Sequence, residues 1–508
     1  MTLAGFALLG GLGAPASAQT SLPRPGETVI TQEMIRSHGI TRLHDILWLV
    51  DGVRLSTIDD FSYTASINGL GRSDQNRWRV FVDGLPEALG DWGVQNLDWL
   101  TIPLDEIDSV KVVASPGMLA GLPAPWGRIE IWTRKASEGV GASAMLMAIN
   151  ETGDPGPFRY SREELRLANI DKSGPDGAAA LSWHRDALTI RESATMMQHI
   201  PSDVAAFSRN RAAFDTPTTP ELLLRSLALS VSHEQDDRGH ALSLRALDMD
   251  DMLFLSSVTR EVPVVQRYAS GSYRFRAGIS KRRWLSVLTN VSRLSVENHE
   301  RATRRPLNWD ALRWTTSAQL SLGRDVVLGA SMVVSQVDSD QLQTGSRGAV
   351  LASVTANVSR SMGDFSGALS TDGKRVGFFA SVRQTHALSE AHSLGLVGAA
   401  ARLVNEEIGS AEYWTIRGLR IDRDTPIEVE DVAREAWLVF AQADWRYSLN
   451  NSWLSVGVGP RFILDGAVEE DGIRWVGPAF EVEERELLRS SGGVLSVVGS
   501  AGTSLGAA

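Results

Sequence analysis

The sequence predicts a mainly β protein in which a small mixed α/β domain precedes a long series of antiparallel strands. Two observations indicate this fold. Between residues 27 and 136, helix-like and strand-like patterns replace one another every few residues, as in a compact α/β module. From residue 139 onwards, apolar and polar residues alternate one by one in segments that turn signals separate, which is the period of a β-strand.

The α/β module opens with two predicted helices. Thr31 is a suitable N-cap for a helix over residues 32–37, and Thr41 for a second helix that Gly52 ends. The apolar side chains of the second helix share one face, as a helix that packs on a core requires. They are Leu43, Ile46, Leu47 and Val50.

Strands follow these helices in the module. Residues 79–82 run into Asp83-Gly84, a dipeptide that strongly favours a tight hairpin turn. Residues 108–114 and 127–133 are strand-like as well, since apolar and β-branched residues dominate them.

The C-terminal part predicts hairpins in which one apolar face continues through each turn. Residues 313–322 alternate in this way, Gly323-Arg324-Asp325 turns the chain, and residues 326–334 resume the same face. Residues 437–447 and 454–462 predict a similar hairpin. About sixteen segments of this kind follow one another along the chain.

Alternation alone does not distinguish a membrane barrel from a soluble β-sandwich or propeller. Two features favour the barrel. The polar face is often Ser, Thr, Asn, Gln and Arg, as in a water-filled lumen, and aromatic residues lie near predicted strand ends, where interfacial girdles belong. These aromatic residues are Trp284, Trp314, Trp437, Tyr447 and Trp453.

Composition narrows the function. The absence of Cys excludes disulfides, thiol catalysis and thiolate metal sites. A net charge of -11 and a pI near 5.4 argue against a nucleic-acid-binding protein. The chain has no H-E-x-x-H, G-x-S-x-G or Walker motif, so neither an enzyme nor a cofactor or metal site is predicted.

Residues 1–18 are predicted to be a cleaved signal peptide. Residues 3–12 form a short apolar core, and Ala16-Ser17-Ala18 is an A-x-A-like cleavage site ahead of Gln19. After this segment, the sequence has no run of ~20 apolar residues that would form a membrane helix. We therefore expect an exported chain that crosses a membrane with strands.

Five blocks of the α/β module resemble the plug domain of TonB-dependent outer-membrane receptors. In chain order they are "VITQEMIRSHGITRLHDILWLVDGVRLS", "SINGLG", "RVFVDGLP", "IPLDEIDSVKVVASPG" and "GRIEIWTRKA". Their order and spacing are similar to those of the family. The resemblance implies three parts: a signal peptide (1–18), a plug domain (19–138) and an outer-membrane β-barrel (139–508). The implied fold is an α/β plug inside or beside an antiparallel transmembrane barrel of about 16 to 22 strands.

The resemblance also implies a function, namely a receptor in the outer membrane of a Gram-negative cell that binds a scarce solute and admits it through the plugged barrel. Partners would be a TonB-type energy-transducing protein and membrane lipids, with no nucleic acid and no cofactor. Ligand contacts would lie in outward-facing plug loops, where four residues offer charge, hydrogen bonds and a stacking face. They are Arg72, Asp74, Asp91 and Trp92.

The sequence departs from the family pattern at the charged positions of the plug. Family plugs carry Arg, Glu and Arg in blocks where this chain has Asn68, Lys111 and Ala114-Ser115. The change predicts loss of the charge network that holds or releases a plug. These departures favour an alternative function, a degenerate plug-barrel protein that is a structural or assembly component of an envelope complex with other envelope proteins.

The TonB box of the family is a short extended segment that pairs with the TonB-type partner as an added strand. The candidate here is Glu27-Thr28-Val29-Ile30-Thr31. It overlaps the first predicted strand of the plug, so the same residues would serve two purposes.

Overall fold

The computed structural model describes two parts of the chain, an N-terminal α/β domain and a large antiparallel sheet. The described residues are 27–40, 42–50, 53–57, 63–67, 78–87, 97–100, 102–113, 117–124, 127–134, 138–153, 170–199, 222–235, 237–255, 260–280, 283–298, 309–323, 325–339, 346–360, 363–373, 375–389, 391–404, 427–429, 432–449, 452–470, 473–475 and 490–503.

The N-terminal domain begins with the predicted helix. Helix α1 (Gln32–Ser37) starts after Thr31, whose hydroxyl oxygen accepts a hydrogen bond from the Met34 amide at 3.4 Å. None of the helices in the described residues is long and apolar enough to cross a membrane.

The second predicted helix is a 3₁₀ helix over His44–Leu49, and Leu43 rather than Thr41 precedes it. A 3₁₀ helix repeats every three residues, so residues three apart lie on one side. Leu43 and Ile46 form one such buried pair, and His44 and Leu47 form another. The tighter helix therefore buries two adjacent sides at once. Further short 3₁₀ helices cover Leu97–Leu100 and Leu104–Glu106.

The domain is built on a five-stranded sheet with the order β1-β6-β9-β4-β5. The described residues of the domain form nine strands, which are β1 (Glu27–Thr31), β2 (Val53–Thr57), β3 (Tyr63–Ile67), β4 (Arg79–Val82), β5 (Leu85–Glu87), β6 (Ile107–Val113), β7 (Gly117–Leu119), β8 (Leu122–Ala124) and β9 (Arg128–Thr133). Strands β4 and β9 are parallel, whereas the other pairs of this sheet are antiparallel. Strands β2 and β3 pair with each other, as do β7 and β8.

The Asp83-Gly84 turn forms as the sequence predicts. Both residues have positive φ angles, 51° and 74°, the conformation of a type I′ turn between two strands. The Asp83 carboxylate accepts hydrogen bonds from the Thr133 amide (2.8 Å) and hydroxyl (2.7 Å). The turn is thereby attached to the end of β9.

The remaining described chain forms a 16-stranded sheet in which each strand pairs with the next one along the chain, apart from two short strands outside it. Its strands are β10 (Gly139–Gly153), β11 (Ile170–Arg185), β12 (Leu188–His199), β13 (Leu222–Gln235), β14 (Arg238–Leu255), β15 (Arg260–Ser280), β16 (Arg283–Asn298), β17 (Trp309–Ser321), β18 (Val326–Ser339), β19 (Ser346–Arg360), β20 (Gly363–Thr371), β21 (Val376–Ala387), β22 (His392–Val404), β24 (Val432–Leu449), β25 (Ser452–Glu470) and β27 (Ser490–Thr503). The count agrees with the number of segments that alternation predicts.

The two ends of this sheet differ in their connections. At one end the strands are joined by two to four residues, as at residues 186–187, 281–282 and 322–325. At the other end the connections include 405–431 and 471–489. Each of these two long connections contains a short strand, β23 (Ile427–Val429) in the first and β26 (Ile473–Trp475) in the second, and these two strands pair with each other. Short connections at one end and long ones at the other are typical of outer-membrane barrels.

The orientation of side chains distinguishes a membrane barrel from a soluble sheet. In β17 the polar residues are buried, with Arg313 and Thr315 each 3 % exposed, while the apolar neighbour Trp314 is 49 % exposed. In β18, Ser331 is buried whereas Met332 is 37 % exposed. A soluble β-sandwich would bury the apolar face instead. The sheet therefore has the inside-out pattern of a transmembrane barrel.

Three of the five predicted girdle residues face outward. Trp437 and Tyr447 lie ten positions apart on the outer face of β24. That is about 33 Å along a strand and, with a tilt of about 40°, about 25 Å along the membrane normal, the height of an apolar barrel band. Trp314 faces outward from β17.

The prediction is wrong for Trp284. It alternates with the outward-facing residues of β16 and therefore faces inward, where Cζ of Arg276 lies 4.9 Å from the centroid of its ring. Both faces of β16 carry apolar residues, so its sequence does not indicate which face is the outer one. The side chain of Trp453 lies outside the described residues.

Candidate functional site

The candidate site is the contact between the N-terminal domain and the inner face of the large sheet. The most buried ion pair there joins Glu87 of β5 to Arg245 of β14. Their Oε1 and Nη2 atoms lie 3.3 Å apart, and the side chains are 2 % and 3 % exposed. Burial raises the pKa of the Glu87 carboxyl, and the charge of Arg245 opposes this effect. The pair thus depends on both partners being present.

Hydrogen bonds to the neighbouring residue fix the same hairpin. The Pro86 carbonyl accepts from the Ser272 hydroxyl at 3.3 Å and from the Asn290 amide at 3.4 Å. Asn290 also donates to Ser272 at 2.7 Å, so the two donors are held as a unit. Arg274 of β15 donates a further hydrogen bond to the Asp83 carbonyl at 3.3 Å, so the β4–β5 hairpin is seated by one ion pair and three further polar side chains of the inner wall.

A second carboxylate, Glu106, contacts strands β10 and β12. Its Oε2 atom lies 3.3 Å from Nε of Arg191, and its Oε1 atom accepts from the Ser143 hydroxyl at 2.7 Å. Arg191 also donates to the Thr133 hydroxyl and to the Arg134 carbonyl. One arginine of the inner wall thus binds three groups at the end of the N-terminal domain.

A third carboxylate, Glu27, lies on the first strand of the domain. It pairs with Lys111 of β6, where Nζ and Oε2 are 3.0 Å apart, and with Arg383 of β21. The expectation that the plug has lost its charge network is wrong, because Lys111 takes part in a network of different residues. Acidic groups of the domain (Glu27, Glu87, Glu106) meet basic groups of the sheet (Arg191, Arg245, Arg383).

The β7–β8 hairpin touches the wall with its backbone. Ala120 and Gly121 at its tip have φ angles of 52° and 79°, and the Ala120 carbonyl accepts from the Ser317 hydroxyl at 2.7 Å. A Cβ on Gly121 would lie 3.0 Å from Cγ of Gln319. The close approach and the positive φ together favour glycine at this tip.

Apolar contacts join the domain to one side of the inner wall. The core of the domain, which includes Ile30 and Leu100, continues without a break into buried side chains of β12–β17. These side chains are Met197, Leu224, Leu247, Met249, Tyr268, Leu294, Val296 and Ala311. The lumen on this side is thus apolar as well as polar.

The predicted site residues fall in two groups. Arg72, Asp74, Asp91 and Trp92 lie outside the described residues. The TonB-box candidate, residues 27–31, forms β1 and pairs with β6 in the register Glu27 to Val113 through Thr31 to Ser109. The segment that would bind a TonB-type partner is therefore the same segment that pairs with β6 in the plug sheet.

Sequence reasoning missed the carboxylate–arginine pairs. The available signal was a charged residue on the lumen face of a strand, as for Arg191, Arg245 and Arg383. Partners as far apart as residues 87 and 245 give no local pattern, so only the fold brings them together.

Comparisons with known proteins agree with this geometry. Residues 25–127 match the family model of the TonB-dependent receptor plug domain. No curated protein matches the chain closely enough to serve as a relative.

Solved structures share the fold over most of this chain. A mutant form of the ferric enterobactin receptor PfeA from Pseudomonas aeruginosa is 12% identical, with a TM-score of 0.64, and the match covers 90% of this chain and 74% of that one. The siderophore receptor PirA from the same organism is 13% identical, with a TM-score of 0.60, and the match covers 94% of this chain and 80% of that one. The iron transporter FrpB from Neisseria meningitidis is 12% identical, with a TM-score of 0.59, and the match covers 87% of this chain and 73% of that one.

The fold and the seated domain are those of a plugged β-barrel, and within the described residues no pairing joins the first and last strands of the sheet, β10 and β27. The match of residues 25–127 to the TonB-dependent receptor plug domain confirms the resemblance inferred from the sequence. The similar structures named above are receptors and an iron transporter.

Proposed function

We propose that this protein is an outer-membrane receptor that binds a scarce solute on the side of the long connections and admits it when the plug moves. A TonB-type partner supplies the energy, and no covalent chemistry occurs. In this proposal residues 1–18 are removed on export, residues 19–138 form the plug, and residues 139–508 form the barrel.

The observation that carries the proposal is the set of polar contacts that hold the plug against the inner wall, which we call the seat of the plug. Its carboxylates, carbonyls and hydroxyls meet polar groups of the wall at three separate places. Water can replace the hydroxyl and carbonyl contacts one at a time at a modest cost, because a bridging water is nearly as favourable as a direct hydrogen bond, whereas the buried ion pair is costly to break. A plug held in this way can shift and return without losing its fold.

Ferric chelates are the first solute class to test. The similar structures named above are receptors for ferric enterobactin or siderophores and an iron transporter. Siderophore complexes often carry acidic oxygen groups, which Arg72 would bind through charge-assisted hydrogen bonds, while Trp92 offers a stacking face. Asp74 and Asp91 would accept hydrogen bonds from the same ligand.

A second candidate is a structural or assembly component of an envelope complex. It is favoured by the continuous apolar contact between the plug and β12–β17, which opposes complete release of the plug. It is also favoured by β1, where the TonB-box candidate already pairs with β6.

Cysteine cross-linking to the TonB-type partner tests the proposal directly, because the chain has no Cys of its own. Val29→Cys places a thiol at an exposed position of β1, and Trp48→Cys is a matched exposed plug position outside the candidate box. We expect Val29→Cys to form a disulfide with a single-cysteine TonB C-terminal domain when a ferric siderophore is bound, and Trp48→Cys to remain uncoupled.

Uptake of the radiolabelled chelate by cells is the companion measurement. Loss of uptake in the Arg72→Ala/Asp74→Ala variant, with an intact heat-resistant barrel, supports the ligand site. Equal cross-linking at both positions would contradict a TonB box at residues 27–31. Stoichiometric envelope proteins that copurify in mild detergent, together with an absence of uptake, would favour the second candidate.

A further inference from the structure

The outer face of the barrel carries a cleft across strands β10–β14. Its position follows from β12, where Arg191 contacts the plug and therefore points inward. Side chains alternate along a strand, so the next residue, Glu192, points outward, and it is exposed. Its cross-strand neighbours on the outer face are Leu181 and Leu229.

The cleft has a volume of about 650 Å³, within the range of small-molecule sites. Alanines form much of its floor, and leucines are the larger apolar residues of its lining. The alanines include Ala142, Ala179, Ala194 and Ala246, and the leucines include Leu181, Leu227 and Leu244. The small alanine side chains leave room beside the leucines for a chain-like apolar group. Glu192 is the acidic residue among them.

The Glu192 carboxylate has no hydrogen bond or ion pair within the described part of the chain. One group of outward-facing charges is paired on the part of the sheet nearer the long connections. Arg267 lies 3.4 Å from Asp248 and 3.1 Å from Glu297. A charge on the lipid-facing side is costly unless a partner offsets it, so a cation from outside the chain would stabilise the Glu192 carboxylate.

The height of Glu192 indicates where that cation comes from. Glu192 lies four positions after Leu188, where β12 begins. That is roughly 10 Å from the short-turn end along the membrane normal, at about 3.3 Å per residue and a tilt of about 40°. Trp183 faces outward two positions nearer that end, opposite Ile190. Such an aromatic residue belongs at the headgroup boundary, so lipid headgroups lie within reach of the Glu192 side chain.

We propose that this cleft is a binding site for a phospholipid with a primary ammonium headgroup, of the phosphatidylethanolamine class. The ammonium donates charge-assisted hydrogen bonds to Glu192, and an acyl chain occupies the alanine-lined floor beside the leucines. The site faces the membrane rather than the lumen, so it is independent of the solute that the receptor admits and of TonB coupling.

Native mass spectrometry of the full-length protein tests this site. The protein is exchanged into nanodiscs that contain equal amounts of phosphatidylethanolamine and phosphatidylglycerol, and the retained lipids are counted. We expect phosphatidylethanolamine to be retained roughly tenfold over phosphatidylglycerol, the ratio that corresponds to about 1.4 kcal/mol. Glu192→Gln should bring this ratio to about one, since the amide carries no charge.

Further variants separate the charge from the shape of the cleft. Glu192→Lys should reverse the preference toward phosphatidylglycerol, and Ala194→Leu should reduce retention of both lipids by filling the floor. Glu297→Gln is the matched control, an outward carboxylate outside the cleft, and it should leave the ratio unchanged.

Equal retention of the two lipids by the unmodified protein would overturn the proposal, as would an unchanged ratio in both Glu192 variants. A membrane protein that copurifies in stoichiometric amount and is lost on Glu192→Gln would also overturn it, because the cleft would then bind that protein instead of a lipid.

Discussion

The two halves of the inner wall hold the plug in different ways. Strands β12–β17 share one apolar core with the plug, and they also supply Arg191 and Arg245 to buried or nearly buried ion pairs. Strands β18–β24 contact it through the β7–β8 hairpin, through Met118 and through the Glu27–Arg383 pair.

The difference is large in energetic terms. Each buried apolar side chain of leucine size stabilises a contact by about 1.5–3 kcal/mol, so the eight side chains of β12–β17 outweigh the few contacts of β18–β24. We therefore expect a moving plug to stay attached along β12–β17 and to open a path along β18–β24. A plug that is attached equally on both sides would have no preferred path.

The largest effect should come from breaking the Glu87–Arg245 pair. Arg245→Met leaves a buried carboxyl group without its partner, which costs about 3–5 kcal/mol. Hydrogen exchange of the plug amides in detergent-solubilised protein should rise accordingly. The double variant Glu87→Leu/Arg245→Met should recover most of the loss, because it leaves no unpaired charge. Unchanged exchange in Arg245→Met alone would contradict the importance of this pair.

A matched pair of leucines compares the two walls directly. Leu294 belongs to the apolar core on β12–β17, and Leu403 lies on the other wall, in the cluster that Met118 contacts; each is 1 % exposed. Leu294→Ala should lower the free energy of plug unfolding by about 2–5 kcal/mol, as for other buried leucines. Leu403→Ala should affect the barrel more than the plug. Similar plug exchange in both variants would refute the asymmetry.

Acidification should loosen the plug at its attached side. Burial lowers the pKa of His44 from 6.5 to about 3, and its neighbours Leu43, Ile46 and Leu47 belong to the apolar core. The unfolded plug therefore binds a proton that the folded plug excludes, so the stability is fully present above the unfolded pKa and is lost as the pH falls toward the folded one.

The expected loss is about 2 kcal/mol between about pH 7 and about pH 5, from a single histidine with these pKa values. Calorimetry of the plug transition over this range measures it. His44→Leu should remove this part of the pH dependence while leaving the barrel transition in place. An equally steep dependence in His44→Leu would mean that other groups cause it.

Local patterns of the sequence predict the elements of this fold well. The Asp83-Gly84 turn, the Thr31 cap and the alternation of residues 313–334 depend on neighbours along the chain, and each has the predicted structure. The type of the second helix was not predictable in the same way. The 3₁₀ form buries two sides of the helix, and each side consists of residues three apart. This burial arises only when the domain packs.

The seat of the plug was less accessible to sequence reasoning. Lys111 differs from the glutamate of the family pattern, and this suggested a lost interaction. The structure compensates with Glu27, which lies far away in sequence but adjacent in the sheet through the pairing of β1 with β6. The effect of replacing a charged residue therefore cannot be inferred until the fold shows which groups face that residue.

The smallest effect should come from the pair that holds the N-terminal strand to the second wall. Glu27→Gln removes the charge that Lys111 and Arg383 share, at a cost of about 1.5 kcal/mol for hydrogen bonds to charged groups. Because β1 is an edge strand of the plug sheet, the amides of residues 28–31 should exchange faster while those of β9 keep their protection. Glu33→Gln, at an exposed position of α1, is the control and should change neither. Faster exchange confined to β1 would mean that a pull on the N-terminus releases this strand first, along the more weakly held wall. Uniform exchange across the plug would instead mean that the plug moves as one body, and the contrast between the two walls would have no part in its motion.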